Sequence, residues 1–162
     1  MTRRLSEAAV LRAQLREFYE DYAACLDAQD LERWPDFFTE DARYRVLPKE
    51  NHDAGLPLSL IYAENRNMIR DRVVALRETT VYEPRALRHF VSGVRPVAVE
   101  GTTIRAEANV LVVESLSDRE PVVSLVGRYL DTIVETDAGF LLKDRCCVID
   151  NYRIRNSLII PV

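Results

Sequence analysis

The chain has 162 residues, 48% of them hydrophobic and 30% charged, and its formal net charge is −4. This length and composition predict one globular domain over residues 1–162 and exclude a disordered or repetitive chain. The mild negative charge argues against nonspecific nucleic-acid binding, which needs a concentrated basic surface. Because no apolar run is long enough to cross a bilayer and the N-terminus lacks the apolar core of a signal peptide, we expect a cytoplasmic protein without membrane contact.

Two helices are predicted at the start of the chain. Apolar residues spaced three and four apart between residues 5 and 28 form one face of a long helix. Asp30 is placed to cap a shorter helix over residues 31–38. Pro35 lies too far inside that helix for an ideal start, so a break or a 3₁₀ turn is expected near Trp34.

A strand, a loop and a third helix are predicted next. Residues 42–47 alternate between apolar and polar types as a strand does. Prolines and Gly55 then indicate a loop around Asn51 and Asp53. A third helix follows over residues 61–76.

Four long strands are predicted in the second half of the chain, where Val, Ile, Leu and Tyr dominate and short turns separate the apolar runs. These strands cover residues 88–99, 102–114, 122–135 and 140–150. Short turns between successive strands predict an antiparallel meander. Helices followed by a run of strands predict an α+β fold, with three N-terminal helices over a strongly curved, mostly antiparallel sheet that forms a cone open at one end.

The third helix is crowded with charge at residues 70–72. Three consecutive residues span nearly the whole circumference of a helix, so at least one of them faces protein. Buried charges are costly unless they are paired, so we predict a buried or interfacial ion-pair cluster. Its predicted members are Arg70, Asp71 and Arg72, with Arg88 and His89 nearby. A solvated helix face is instead expected for Arg66 and Arg77.

The C-terminal residues 156–162 are too apolar to remain free in water. Leu158, Ile159 and Ile160 form the centre of this tail. We therefore expect it to dock on another surface.

The two histidines, His52 and His89, are the first candidates for chemistry. With Asp53 or Asp71 they could form a two-histidine iron site, or a histidine–aspartate acid–base pair. No ligand motif joins these distant residues, which disfavours iron. A pair of His89 with an aspartate inside the cone remains open, behind a purely structural role for both histidines.

The remaining serines, cysteines and tyrosines do not form a recognisable catalytic or cofactor-binding motif. The candidate serines lack the glycine-rich strand–turn–helix setting of a nucleophile elbow; they are Ser59, Ser124 and Ser157. No glycine-rich phosphate loop is present. The three cysteines, Cys25, Cys146 and Cys147, have no metal or redox spacing and are expected to be free thiols. Four tyrosines could line a pocket or belong to the core: Tyr44, Tyr62, Tyr82 and Tyr129.

Several short motifs occur in a familiar order. They are WPDFF at 34–38, YRV at 44–46, EN…GLPL at 50–58, MIRDRV at 68–73, ALRET at 75–79, RH at 88–89 and the ending NSLIIPV. Together they resemble the small, or β, subunit of aromatic-ring-hydroxylating dioxygenases, over nearly the whole chain. The M-x-R-D-R-V motif and the apolar ending are the most specific. Within that family the chain is similar first to subunits of salicylate-type hydroxylases, then to anthranilate and terephthalate types.

The resemblance implies an NTF2-like cone, as in ketosteroid isomerase, scytalone dehydratase and SnoaL-like proteins. It also implies that the Rieske [2Fe–2S] cluster and the mononuclear Fe(II) belong to a large, or α, subunit on which the reductase or ferredoxin acts. The small subunit then holds no cofactor, metal ligand or catalytic residue of its own. Three copies would form a base under three large subunits, as an α3β3 assembly.

Three functional hypotheses follow. In the first, the chain is a structural subunit whose charged helix and apolar tail contact neighbouring subunits; the candidate interface residues are Arg70, Asp71, Arg72, Arg88, His89, Leu158, Ile159 and Ile160. The second is a stand-alone dehydratase or isomerase that uses His89 with an aspartate as general base. The third is a free-standing module that binds a small apolar ligand.

Overall fold

Helices and strands occupy most of the chain. The computed structural model describes residues 6–154 and 158–162. In order, the elements are α1 (Glu7–Asp27), a 3₁₀ turn (Trp34–Phe37), β1 (Phe38–Pro48), α2 (Lys49–Asp53), β2 (Ile61–Ala63), α3 (Arg66–Glu78), β3 (Arg85–Glu100), β4 (Thr103–Leu116), β5 (Val122–Thr136) and β6 (Gly139–Ile149). Leu5, Asn156 and Ser157, which figure in the sequence predictions, lie outside the described residues.

Helix α1 confirms the long helix predicted from the apolar spacing. Ser6 caps its N-terminus, since its hydroxyl oxygen accepts a hydrogen bond of 3.3 Å from the backbone N–H of Ala9. One face of α1 is buried in the core, with Leu15, Tyr19 and Tyr22 fully inaccessible to solvent. These long side chains fix α1 over the concave face of the sheet.

The segment after α1 is a 3₁₀ turn instead of a helix capped by Asp30. The turn covers Trp34–Phe37, and the residue before it is Arg33, without a side-chain cap. Pro35 explains the outcome, because it cannot donate a backbone hydrogen bond inside an α-helix. The predicted 3₁₀ turn near Trp34 is therefore confirmed, whereas the predicted Asp30 cap is wrong.

Two predictions in the middle of the chain are also wrong. The predicted loop around Asn51 and Asp53 contains the short helix α2. The predicted third helix starts five residues too early, because residues 61–63 form strand β2, antiparallel to β1, and α3 begins at Arg66. Ile61 and Ala63 are buried and Tyr62 is exposed, which is the alternation of a strand. Short apolar runs do not distinguish a strand from a helix end by periodicity alone.

The six strands form one sheet in the order β2-β1-β6-β5-β4-β3. The predicted meander is confirmed, since β3, β4, β5 and β6 pair antiparallel with their neighbours in sequence. Strand β1 joins β6 in parallel. The α+β class with a curved, mostly antiparallel sheet is confirmed, and the helices cover its concave face. None of the helices in the described part of the chain has the length and apolar content needed to cross a membrane.

The strand register brings polar and aromatic residues into one row inside the cone. Tyr44 on β1 lies opposite Arg145 on β6, which lies opposite Asp131 on β5. Strand side chains alternate between the two faces, so all three point toward the helices. A row with two charged groups is therefore built into the apolar interior.

Candidate functional site

The charged helix α3 turns one of its three consecutive charged residues inward. Arg72 is half-buried, and one of its guanidinium nitrogens donates hydrogen bonds of 3.2 Å to the carbonyl oxygens of both Leu158 and Ile159. Burial lowers the pKa of Arg72, and nearby Tyr44 only partly opposes this. The prediction that one of the three residues faces protein is confirmed: Arg72 holds the C-terminal tail of its own chain.

The other members of the predicted ion-pair cluster do not meet one another. Arg70 is exposed and donates to Asn67 Oδ1 at 3.0 Å. Asp71 is exposed, and within the described residues it has no ion-pair partner. Arg88 is exposed and donates to the carbonyl oxygen of Leu87 at 2.9 Å. An ion-pair cluster within this chain was therefore a wrong prediction, while contact with a neighbouring subunit stays a prediction.

Arg66 and Arg77 both tether α3. The solvated face expected for them is confirmed for Arg77, which is exposed, and wrong for Arg66, whose side chain is 18% exposed. Arg66 pairs with Glu40 and donates to the carbonyl oxygen of Phe38 at 3.1 Å. Arg77 donates two hydrogen bonds to the Glu32 carboxylate, at 2.7 and 2.9 Å. These bonds lower the pKa of Glu32 to about 2. The two arginines fix α3 against β1 and against the segment after α1.

The C-terminal tail docks inside the cone of its own chain. Ile160 and Val162 are buried, at 4% and 2% exposure. The Tyr22 and Tyr44 hydroxyls donate to the carbonyl oxygen of Val162, at 2.9 and 3.1 Å. Docking of the tail is thus confirmed, and its partner is the chain itself. Ile160 is too buried to offer much surface to a neighbouring subunit. The prediction that the tail contacts a neighbouring subunit therefore rests mainly on Leu158 and Ile159, which are half-buried.

His89 forms the histidine–aspartate pair that was left open, and its partner is Asp27 at the end of α1. His89 Nδ1 lies 2.6 Å from Asp27 Oδ1, and the backbone N–H of His89 donates to the same carboxylate at 3.0 Å. The His89 side chain is only 1% exposed. Its other ring nitrogen, Nε2, is buried without a hydrogen-bond partner in the described residues.

The two-histidine iron site does not form. His52 lies on α2, with Nδ1 3.3 Å from Asp53 Oδ1, and borders a different cavity from the one beside His89. Within residues 6–154 and 158–162, no group of three or more His, Cys, Asp or Glu side chains is placed to hold a metal ion.

A small cavity of about 60 Å³ borders His89. Its walls are mostly apolar and include side chains of β3, β4 and β5 and the tail; the apolar members are Leu87, Val112, Val122, Leu125, Ile154, Leu158, Ile159, Ile160, Pro161 and Val162. An ion pair of 2.7 Å between Arg85 and Glu114 also borders the cavity. The cavity therefore combines mostly apolar walls with a few polar side chains, among them His89.

A buried ion pair forms the polar centre of the cone, and sequence reasoning did not single it out. Arg145 Nη2 donates to Asp131 Oδ2 at 2.7 Å, and both side chains are 0% exposed. The Tyr19 hydroxyl donates to the same carboxylate at 2.6 Å. The Arg145 guanidinium lies 4.1 Å from the ring centre of Tyr22 and 3.9 Å from that of Tyr129. Alternation on β5 was the available signal, since Asp131 shares its face with apolar residues.

The charge on Arg145 is stabilised by these neighbours. Burial by itself lowers the pKa of Arg145. Asp131, Tyr22 and Tyr129 raise it by more than burial lowers it, so the pKa lies well above its usual value. Burial also raises the pKa of Tyr22 to about 12, although Arg145 opposes this. The network therefore stays a charged pair with neutral phenols, which suits a structural role.

The remaining candidates belong to the core or the surface. The cysteines are free, as predicted, and all three are buried. Burial raises the pKa of Cys25 to about 11, which makes this thiol a poor nucleophile. Tyr44 and Tyr129 are fully buried core residues, whereas Tyr62 is 49% exposed. Ser124 borders the His89 cavity but donates to the carbonyl oxygen of Val112 at 3.1 Å.

Comparison with known families gives a direct match. The family model described as "Ring hydroxylating beta subunit" matches residues 21–156 of the chain. This span includes the whole sheet, α3 and the Asp27–His89 pair.

Two characterised relatives are similar over most of the chain. The anthranilate 1,2-dioxygenase small subunit of Burkholderia cepacia is 41% identical over 141 residues, which cover 87% of this chain and 88% of that protein. Subunit beta 2 of the terminal oxygenase component of terephthalate 1,2-dioxygenase, from a Comamonas species, is 31% identical over 149 residues, or 92% of this chain and 97% of that protein.

Solved structures agree on the fold. The beta subunit of a proposed aromatic-ring-hydroxylating dioxygenase from Novosphingobium aromaticivorans superposes with a TM-score of 0.89 at 34% identity, covering 97% of this chain and 100% of that chain. A proposed scytalone dehydratase from the same organism gives a TM-score of 0.70 at 20% identity, covering 91% of each chain, a likeness of fold alone. The NTF2-like cone is thereby confirmed.

Proposed function

The chain belongs to the family of ring-hydroxylating dioxygenase beta subunits, and from this premise we propose that it is the non-catalytic, structural small subunit of an oxygenase that hydroxylates an aromatic acid. The observation that carries the proposal is the match of both the family model and a 41% identical small subunit over most of the chain. We further propose that residues 1–162 form one domain and that the assembly works in the cytoplasm.

An aromatic acid is proposed because the named relatives act on anthranilate and terephthalate, which are both aromatic carboxylic acids. A salicylate hydroxylase-type partner remains part of the proposal on the strength of the sequence motifs. The substrate would bind in the large subunit, so its identity has to be tested on the complex.

The metal donors of this chain do not fit an oxygenase centre. A Rieske cluster needs paired cysteines and histidines in one place. Cys146 and Cys147 are consecutive on β6 and therefore face opposite sides of the sheet. His52 and His89 border separate cavities. We therefore assign the [2Fe–2S] cluster and the Fe(II) to the large subunit, where the reductase or ferredoxin would act.

The proposed assembly contains three small and three large subunits. Arg70, Asp71 and Arg88 support it as exposed charged groups available for ion pairs with a neighbour. Leu158 and Ile159, which Arg72 of α3 holds, add half-buried apolar surface. Permanent complexes commonly combine apolar surface with arginine anchors.

Co-expression with the large subunit tests the proposal. We expect a complex whose native mass corresponds to three copies of each chain, with iron and acid-labile sulfide in proportion to the large subunit. The small subunit purified alone should be free of iron and without oxygenase activity. Turnover of a small aromatic substrate by the iron-free small subunit alone would contradict the structural role.

Asp71→Ala is expected to reduce recovery of the hexamer. An ion pair that becomes desolvated in the assembled complex leaves an unpaired charge when one partner is removed, a loss of about 3–5 kcal/mol. The measurement is the amount of large subunit that co-purifies with a tagged small subunit. Asp137→Ala, in the exposed turn between β5 and β6, is the matched control and should assemble normally. Full assembly and full turnover with Asp71→Ala would remove this residue from the interface.

A stand-alone dehydratase or isomerase is the second candidate, and the Asp27–His89 pair is the observation that favours it. A carboxylate 2.6 Å from a buried imidazole fixes the orientation of the ring, as in a histidine general base. The cavity of about 60 Å³ is small for such a substrate, which ranks this candidate second. Dehydration or isomerisation by the purified chain without its partner would bring it forward.

A further inference from the structure

The unpartnered Nε2 of His89 needs an explanation that the structural role does not provide. The nitrogen is buried, and within the described chain no group bonds to it. A buried polar atom without a partner destabilises the folded chain, because it has lost its hydrogen bonds to water. Such atoms in native proteins are usually satisfied by a water or a ligand.

The Asp27 contact determines which kind of group Nε2 can accept. An ionised carboxylate only accepts hydrogen bonds, so the proton of a neutral His89 ring resides on Nδ1, which faces Asp27 at 2.6 Å. Nε2, the unpartnered nitrogen of a residue that borders the cavity, then carries the lone pair. The complementary group is a hydrogen-bond donor such as a hydroxyl.

The cavity walls determine the rest of the ligand. Leu87, Val112 and Leu125 line the cavity with apolar surface. The polar side chains of its wall are already engaged: Arg85 pairs with Glu114, and the Ser124 hydroxyl donates to a backbone carbonyl oxygen. Mostly apolar walls with a few polar groups are the usual composition of a small-molecule site. The ligand body should therefore be apolar.

We propose that the cavity beside His89 binds a small apolar molecule with one hydroxyl group, whose O–H donates to His89 Nε2. The site lies inside the cone and shares Leu158 and Ile159 with the proposed interface, whereas the exposed Arg70, Asp71 and Arg88 do not line it. The His89 resonance reports ligand binding and co-purification of the large subunit reports assembly, so the two are measured separately.

The tail sets the size of the molecule that enters. The cavity measures about 60 Å³. An engineered cavity that takes benzene is about 150 Å³. A ring compound therefore enters only if part of the wall moves, and Leu158 and Ile159 are wall residues that remain half-buried. Arg72 holds this part of the tail through two backbone carbonyl oxygens. These hydrogen bonds do not restrain the side chains of Leu158 and Ile159.

Histidine-selective ¹⁵N labelling of the full-length chain tests the proposal, because the chain contains two histidines and His52 serves as an internal control. Phenol is the probe, and toluene has the same shape without the hydroxyl. We expect phenol to cause a saturable shift of the His89 Nε2 resonance and no shift of His52. Toluene should leave the His89 Nε2 resonance nearly unchanged.

Leu158→Ala allows the test to succeed even if the tail side of the cavity wall cannot move to admit a ring compound. This variant enlarges the cavity, so the phenol concentration that gives half-saturation should fall. Leu58→Ala removes a leucine that is 73% exposed and should behave as the unmodified chain. The proposal is overturned if neither the unmodified chain nor Leu158→Ala gives a saturable shift, which leaves an ordered water as the partner of Nε2. Equal shifts with toluene, or with His52, would overturn it as well.

Discussion

Replacing Asp131 with alanine is expected to lower the free energy of unfolding by about 3–5 kcal/mol, the usual cost of removing one partner from a buried ion pair. Arg145 would keep its charge in a site with 0% exposure and lose its carboxylate partner. Tyr19 would also lose the acceptor of its 2.6 Å hydrogen bond. Urea unfolding followed by circular dichroism measures the loss.

Asp144→Ala is the matched control for that experiment. Asp144 also pairs with two arginines on a neighbouring strand, but solvent reaches all three side chains, since Asp144 is 20% exposed, Arg43 50% and Arg45 28%. Solvent screens partly exposed pairs, so the control should lose clearly less stability than Asp131→Ala. A similar loss for Asp131→Ala and Asp144→Ala would show that burial does not set the cost.

The double variant Asp131→Ala/Arg145→Met separates the charge from the packing. It removes the isolated charge as well as the pair, and apolar replacements of buried pairs are often neutral or stabilising. We therefore expect it to be more stable than Asp131→Ala alone. If the double variant is less stable than the single one, the packing of Arg145 between Tyr22 and Tyr129 outweighs the charge effect.

Deletion of residues 160–162 is expected to have the second large effect. Ile160 and Val162 are almost completely buried, and each buried aliphatic side chain contributes about 1.5–3 kcal/mol. The hydroxyls of Tyr22 and Tyr44 would also lose their acceptor. We expect a loss of about 3–6 kcal/mol from the two side chains alone, measured as a lower urea midpoint.

Two further variants show which part of the tail matters. Tyr44→Phe keeps the ring and removes the hydroxyl that both donates to and accepts from Val162. It should therefore cost less than the deletion. Val81→Ala changes a valine with 100% exposure and should leave the midpoint unchanged. A truncated chain with an unchanged midpoint would mean that the tail is not part of the core.

Local sequence patterns correctly predicted the long helices and strands that bury one face along most of their length. The face of α1 and the four strands of the meander were predicted because many apolar residues repeat with one period in each. The errors fall on short segments: α2 has five residues and β2 three, too few for a period to distinguish helix from strand. Asp30 failed as a cap because Pro35 changed the type of helix that follows.

The sequence by itself determined the α+β order of elements, the family, and the presence of one inward-facing charge among residues 70–72. Only the tertiary structure decided which charge that is, where the tail docks, and which aspartates meet Arg145 and His89. Asp27 and His89 are 62 positions apart, and Arg145 meets Asp131 through strand register. Hydrophobic periodicity reports which face of an element is buried, but partners across the core follow from packing and register.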